Sequence, residues 1–339
     1  MQYRTLGKTG LSVSLVGMGG IPIQKIDEAR AEQVVSAAIQ AGINFFDSAR
    51  GYTDSEAKLG RVFGSYHAPG KLVIATKSAA KTKSEILKDV EVSLKNLRVK
   101  TIDLYQLHNV KDEATLDAVM APGGAVEGLR EAQTKGWIRH IGITGHVPEI
   151  LVKAVKTGAF ATVQFPFSAV EQEAAKMLLP LAAELGLGVI VMKPLAGGAL
   201  SNSDLALRFL FEHPVTTVIP GMASVEEVAQ NSSLGERALP LTPKEREVLE
   251  QQVQSLGKTF CRRCEYCLPC PQNVNIPMVF LLDGYYTRYG LQSWAEERYR
   301  AMERKAKDCA ECGLCEERCP YNLPIRSMLK EASSRFDRE

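Results

Sequence analysis

The chain has 339 residues, 45% of them hydrophobic and 24% charged, with a formal net charge of +2. That length exceeds the usual size of one hydrophobic core, so a large and a smaller domain are expected, and the balanced charge gives no electrostatic ground for a nucleic-acid or anionic-membrane partner. The amino terminus is not leader-like and no run of about 18 apolar residues occurs, which predicts a cytoplasmic protein whose eight cysteines stay reduced.

The opening MQYRTLGKTGLSVS, with Lys-Thr-Gly at its centre, predicts a hairpin. Short β-branched runs then predict strands at 14–20, 44–49, 72–77, 102–108, 138–144, 162–168, 188–194 and 216–221. Amphipathic helical patterns lie between them. One spans 28–42, where Gly42 suits the stop, and another spans 83–97, where Ile86, Val90, Leu94 and Leu97 form a stripe. Eight strands, each followed by a helix, over residues 1 to about 235 predict an α/β fold, a (β/α)₈ TIM barrel with the hairpin plugging its floor. An open doubly wound sheet is the rival, but GMGGIP at 17–22 lacks the glycine spacing of a dinucleotide fingerprint. A helix over 241–256 follows, beginning Thr242-Pro243. Composition then shifts, which places the barrel at 1–256 and a second domain at 257–339.

All eight cysteines lie in that second part. Cys309, Cys312, Cys315 and Cys319, the last followed by Pro320, have the spacing of bacterial ferredoxins that hold [4Fe–4S] clusters. Cys261, Cys264, Cys267 and Cys270, followed by Pro271, form a run one residue shorter in its last interval. Two residues between cysteines let a tight loop present three thiolates to three corners of a cluster, while the fourth points toward a neighbouring cluster. Two [4Fe–4S] clusters are therefore expected in a ferredoxin-like domain, one on Cys261, Cys264, Cys267 and Cys319 and the other on Cys309, Cys312, Cys315 and Cys270. Structural zinc is the rival, and the two runs of four, each ending Cys-Pro, favour iron–sulfur. CLPCPQNVNIP (267–277) and CGLCEERCPYNLPI (312–325) repeat one pattern and imply two similar halves.

In such a barrel chemistry sits at the carboxyl ends of the strands. Those positions hold Asp47, Lys77 and His108, with Tyr52 five residues beyond Asp47. Each has a bland alternative: a helix cap, a solvated rim charge, a satisfied core histidine. Together, from adjacent strands, they suit carbonyl reduction. A tyrosine, with an ordinary pKa near ~10, donates a proton at neutral pH only if a nearby ammonium lowers that value. Lys77 supplies the charge, Asp47 holds and neutralises it, and His108 orients the carbonyl oxygen or shares the proton.

FFDSARGYTDSE (45–56), IATK (74–77) and LYQLHN (104–109) resemble the signature segments of the aldo-keto reductases. IGITGH (141–146), VQFPFS (163–168), MKPLAGG (192–198) and VIPGMASVEEVAQNS (218–232) resemble their nicotinamide-binding segments, and the cysteine-rich part resembles the two-cluster extension on one branch of that family. The resemblance implies Asp47, Tyr52, Lys77 and His108 as a catalytic tetrad with Tyr52 the general acid. It implies NADPH or NADH as cofactor, with Gly20 beside it and Thr144 and Gln164 on the nicotinamide carboxamide. The loop of Met192, Lys193, Pro194, Leu195 and Gly198 would lie over the pyrophosphate, and Asn231 would reach the adenine. There are departures. Thr144-Gly145 stands where many members carry Ser-Asn, and Met192 replaces the aromatic residue that stacks on the nicotinamide. Gly221 and Glu227 occupy positions that often bear cations against a 2′-phosphate. A carboxylate there leans toward NADH, whereas Lys193 keeps NADPH open.

A nicotinamide passes a hydride and an iron–sulfur cluster one electron, and no flavin site is evident between them. The clusters are therefore structural, exchange electrons with a flavoprotein or ferredoxin partner, or sense redox state. Two functions follow: an NAD(P)H-dependent oxidoreductase acting on a small carbonyl substrate, or an electron-transfer module whose barrel docks a redox partner. A nucleic-acid role for Arg262 and Arg263 is weak, because residues from 261 onward carry 13 Lys+Arg against 12 Asp+Glu.

Overall fold

The computed structural model describes residues 1–64, 66, 72–256, 260–263, 266–319 and 321–338. They form two compact units, one of 1–195 with 202–242 and one of 196–201 with 243–339. The helix at 243–256, read from sequence with the barrel, thus groups with the second unit.

The first unit opens on an antiparallel hairpin, β1 (Tyr3–Thr5) with β2 (Ser12–Ser14). Eight parallel strands follow: β3 (Met18–Gly19), β4 (Phe45–Asp47), β5 (Val73–Ser78), β6 (Ile102–Leu107), β7 (Ile138–Thr144), β8 (Thr162–Pro166), β9 (Gly188–Met192) and β10 (Thr217–Ile219). They pair in sequence order, and bridges from Val16 to Val218 and Gly19 to Gly221 join the last strand to the first. The predicted (β/α)₈ barrel is the fold.

Helices follow every strand: α1 (Glu28–Gln40), α2 (Ser55–Phe63), α3 (Lys83–Leu97), α4 (Glu113–Met120) with α5 (Ala125–Thr134) after β6, α6 (Pro148–Lys156), α7 (Ala174–Glu184), α8 (Ser203–Phe211) and α9 (Val225–Arg237). Their starts are written locally. Asp27, Thr82, Asp112, Asn202 and Ser224 each accept a backbone N–H of the first turn. The stripe of α3 is buried at Ile86, Val90, Ser93 and Leu97, so a serine takes the place expected of Leu94. Its hydroxyl donates to buried Glu56 of α2 at 2.8 Å, a partner that helical periodicity does not reveal.

The barrel interior is layered. Phe45, Ala75, Leu104, Ile190 and Ile219 share one apolar cluster with Leu6 and Val13 of the hairpin. The floor plug is therefore present, and it needs two glycines. A Cβ on Gly7 (φ +50°) would lie 2.2 Å from the backbone of Gly188, and one on Gly188 would meet Leu6 at 2.7 Å.

The second unit contains α10 (Pro243–Leu256), α11 (Ile276–Thr287), α12 (Gln292–Arg300), α13 (Leu314–Glu317) and α14 (Ile325–Phe336). Its core joins Val274, Ile276, Val279, Leu282, Tyr299, Leu323, Ile325 and Leu329. Tyr285 and Trp294 pack against this core with ring centroids 4.8 Å apart. The repeat seen in the sequence is a backbone repeat. Asn273 donates its N–H to Cys270 O at 2.8 Å and Asn322 to Cys319 O at 3.1 Å, both with left-handed φ (56° and 51°). Each turn then opens a helix, at Ile276 and at Ile325.

Candidate active site

Alternation along each strand carries the lower apolar layer upward into polar chemistry. Two residues beyond Phe45, Ala75 and Leu104 on the same strand faces come Asp47, Lys77 and Gln106. All three are buried, Lys77 and Gln106 completely. Lys77 donates from Nζ to Asp47 Oδ2 at 2.5 Å and to Ser48 O at 2.8 Å. Its ammonium lies 5.1 Å from the centroid of the Tyr52 ring. That ring meets His108 edge to face, with centroids 5.8 Å apart and planes at 87°. The four expected residues are thus brought together.

Burial pushes the Asp47 carboxyl up and the Lys77 ammonium down, and each is held back by the other's charge. Burial first, then the charges of Lys77 and Lys193, pushes His108 down to about 3. The imidazole is therefore neutral at ordinary pH, able to donate or accept a hydrogen bond but not to serve as a cationic acid.

Sequence reasoning missed the residues that hold this centre. Gln106 donates from Nε2 to Asp47 Oδ1 at 3.1 Å and to Gln164 Oε1 at 2.8 Å, tying β8 to β4 across the barrel. Glu56 accepts from Thr76 and Ser93 at 2.8 Å, from Arg50 at 2.8 Å and from Asn96 at 3.1 Å. It braces the residue before Lys77. Gln106 could have been found by strand alternation from His108; Glu56 reads in sequence as an ordinary helical acid.

The expected cofactor contacts scatter more. Thr144 is buried at the end of β7 and Gln164 in the middle of β8, and Thr144 Oγ1 accepts from Asn109 N at 2.9 Å. Met192 ends β9, Lys193 (φ 54°) and Pro194 follow, and Leu195 closes that stretch of the first unit. Gly198 lies in the segment grouped with the second unit, where Arg288 Nε donates to the neighbouring Gly197 O at 3.1 Å. Gly20 packs against β4, since a Cβ there would lie 2.7 Å from Ser55 Oγ and 3.0 Å from Asp47 O. Gly221 packs on Pro22 in the same way. Glu227 accepts from Ala223 N at 2.6 Å, so its carboxylate serves the first turn of α9. Asn231 is buried in that helix.

Among the cysteines, Cys267, Cys315 and Cys319 are buried in the core of the second unit, with Cys261, Cys270 and Cys309 packed against it. Cys312 is exposed, no disulfide joins the seven described cysteines, and Cys264 lies outside the described residues. Burial pushes the Cys315 thiol up, with the charges of Glu316 and Cys309 adding to it. Among the described residues no group of three or more His, Cys, Asp or Glu is drawn together as a bound ion would require. Six cysteine side chains in or against one core, none of them in a disulfide, still fit a thiolate-bound cluster in donor chemistry. Arg262 stacks on Tyr321 at 3.9 Å.

A closed parallel barrel with its polar cluster at the carboxyl ends of the strands is the architecture of a (β/α)₈ enzyme. The sequence profile of the Aldo/keto reductase family matches residues 15–205, more than half of the chain, and the chain belongs to that family. Residues 260–324 match a 4Fe-4S dicluster domain. The chain is 30% identical over 233 residues to YrpG of Bacillus subtilis (strain 168), described as an uncharacterized oxidoreductase, covering 60% of this chain and 70% of that one. It is 27% identical over 280 residues to L-galactose dehydrogenase of Arabidopsis thaliana, covering 68% and 87%. Among solved structures it resembles the aldo-keto reductase AKR11C1 from Bacillus halodurans in its holo form. There the TM-score is 0.65 at 25% identity, over 74% of this chain and 96% of that one. No helix among the described residues is long and apolar enough to cross a membrane.

Proposed function

We propose that the barrel reduces a small carbonyl compound at the expense of NADH or NADPH, with Tyr52 as the proton donor. The observation that carries this reading is the contact of Tyr52 with both Lys77 and His108 above a buried Lys77–Asp47 pair. A bound nicotinamide would supply the hydride to the carbonyl carbon. Tyr52 gives its hydroxyl proton to the carbonyl oxygen, so the carbonyl becomes an alcohol with one hydride and one proton added. Lys77 stabilises the phenolate left behind, Asp47 keeps that ammonium in place, and neutral His108 donates a hydrogen bond to the same oxygen. Thr144 and Gln164 would hold the nicotinamide amide, and Gly20, Met192, Lys193, Pro194, Leu195, Gly198, Gly221, Glu227 and Asn231 would line the rest of the dinucleotide path.

The division of labour is at 256/257, with two [4Fe–4S] clusters on the eight cysteines of the carboxyl-terminal part. The packing of six described thiols on one apolar core supports a structural role for them. Electron exchange with a flavoprotein or ferredoxin is the second reading, favoured by the exposure of Cys312.

The test is Tyr52→Phe in anaerobically purified protein carrying its iron and sulfide. Aldehyde reduction should fall by about 10²–10⁴-fold, while NADH and NADPH still quench protein fluorescence with unchanged affinity. Turnover near that of the parent protein would remove Tyr52 from the reaction.

A further inference from the structure

We propose that Arg50 and Glu56 are positioning residues for the proton transfer: their ion pair closes the short loop that carries Tyr52 and fixes its ring over Lys77. The inference rests on the carbonyl-reductase reading above and adds to it the clamp that holds the proton donor in place.

Arg50 and Glu56 flank Tyr52 in the chain, between the end of β4 and the first turn of α2. Arg50 Nη1 donates to Glu56 Oε2 at 2.8 Å, so the loop is joined to itself across the tyrosine. Its first half runs along β5. Ser48 N–H donates to Ala75 O and Arg50 N–H to Lys77 O, both at 2.9 Å, and Lys77 Nζ returns a bond to Ser48 O at 2.8 Å. Two tight turns follow, Tyr52 N–H to Ala49 O at 3.0 Å and Ser55 N–H to Tyr52 O at 2.8 Å. Within the second, Thr53 has φ 35°, a left-handed conformation that a β-branched residue keeps only where its surroundings impose it.

Both partners are themselves anchored. Glu56 is buried, and four donors fill its lone-pair positions: Thr76 and Ser93 on Oε1 at 2.8 Å each, Arg50 at 2.8 Å and Asn96 at 3.1 Å on Oε2. Thr76 precedes Lys77 on β5, so the carboxylate is tied to the strand that bears the ammonium. Arg50 Nε lies 3.6 Å from Asp89 Oδ1 of α3, and Ser78, which ends β5, donates to the other oxygen of Asp89. The guanidinium is thereby set between carboxylates of two helices, with a planar fork that an ammonium does not reproduce.

The charge of this cluster also reaches the reacting centre. Burial pushes the Lys77 ammonium down, and Asp47 and then Glu56 hold it up. Tyr105, which packs against the same cluster, is kept a neutral phenol by burial, with the charges of Glu56 and Asp89 adding to it. Around the Tyr52 ring stand Lys77 of β5 and the neutral His108 after β6. One guanidinium thus faces two carboxylates, and the excess negative charge supports the ammonium that Tyr52 needs beside it.

The experiment uses the full chain with its iron and sulfide in place and propanal as the probe. Arg50→Met should lower kcat by about 10–100-fold with KM little changed, since a small displacement of a reacting group is costly. It should also move the alkaline limb of the kcat profile to higher pH, because a phenol that drifts from an ammonium ionises less readily. Arg50→Lys should recover only part of the loss. Glu56→Gln should lose a similar amount, and the double variant no more than the worse single, because both changes remove one bond. Unchanged kcat in Arg50→Met beside an inactive Tyr52→Phe overturns the clamp and leaves the reductase reading standing. Additive losses in the double variant, or a raised KM at unchanged kcat, overturn it too. Should Glu56→Gln fail to fold, the two variants of the partly exposed Arg50 still decide the matter. Phenolate absorbance of Tyr52, taken as the difference between each protein and its Tyr52→Phe derivative, reads the clamp without turnover. An upward shift of that titration in Arg50→Met, in protein whose Tyr52→Phe form still reduces propanal, would uphold the clamp and sink the reductase reading; no shift overturns the clamp.

Discussion

A histidine beside two lysines is an unusual acid. His108 is pushed down to about 3 by burial and by the charges of Lys77 and Lys193, so at ordinary pH it stays neutral, and in the proposed reaction the proton comes from Tyr52. The expected consequence is a pH profile of kcat/KM with no inflection near the ordinary histidine value of about 6.5; a clear histidine step there would contradict the neutral role. The sign for stability follows from the same shift. The unfolded chain binds a proton at His108 below about pH 6.5, whereas the folded chain resists it down to about 3. Stability from this group is thus present above the unfolded value and is lost as pH falls through that window. Gln106 offers a second prediction at this scale. Gln106→Leu removes the Asp47 Oδ1 donor in a buried site, and should cost about 1–3 kcal/mol in denaturant unfolding, with kcat lowered and the cofactor affinity changed through Gln164.

Between residues and the barrel stand pairs of elements whose spacing single residues set. α2 and α3 approach so closely at Gly60 that a Cβ would lie 2.1 Å from Asn96 O. Gly60→Ala must push the helices apart and should cost about 1–3 kcal/mol, read as a lower denaturation midpoint. It should also disturb Glu56, which takes hydrogen bonds from Ser93 and Asn96 of α3 as well as from Thr76 and Arg50. The hairpin makes an independent case. Leu6 is fully buried in the lowest layer of the barrel, so Leu6→Ala should cost about 2–5 kcal/mol while leaving kcat close to that of the parent, because the plug and the tetrad lie at opposite ends of the strands. A loss of kcat without loss of stability would contradict that separation.

For the whole molecule, two compact units with separate cores predict two transitions. Anaerobic chelation of iron should abolish the unfolding transition of 243–339 and leave that of the barrel, followed by calorimetry on the full chain; a single transition unaffected by chelation would remove the structural role of the clusters. What was legible in the sequence is what short-range pattern controls. Alternation and helical spacing set eight strands and their helices, the interval between cysteines marked the 4Fe-4S dicluster domain as a class, and the grouping of Asp47, Lys77 and His108 could be read because a barrel brings its strand ends together. What only the tertiary structure decided is whatever depends on atoms brought together from distant strands. Ser93 instead of Leu94 is buried because Glu56 of another helix needs its hydroxyl, and His146 links Lys193 to Asn109 across three loops. None of these pairings leaves a local trace, since a hydrogen bond between residues 20 to 80 positions apart has no period in the chain. Local propensity wrote the elements, and long-range closure of the ring wrote the site.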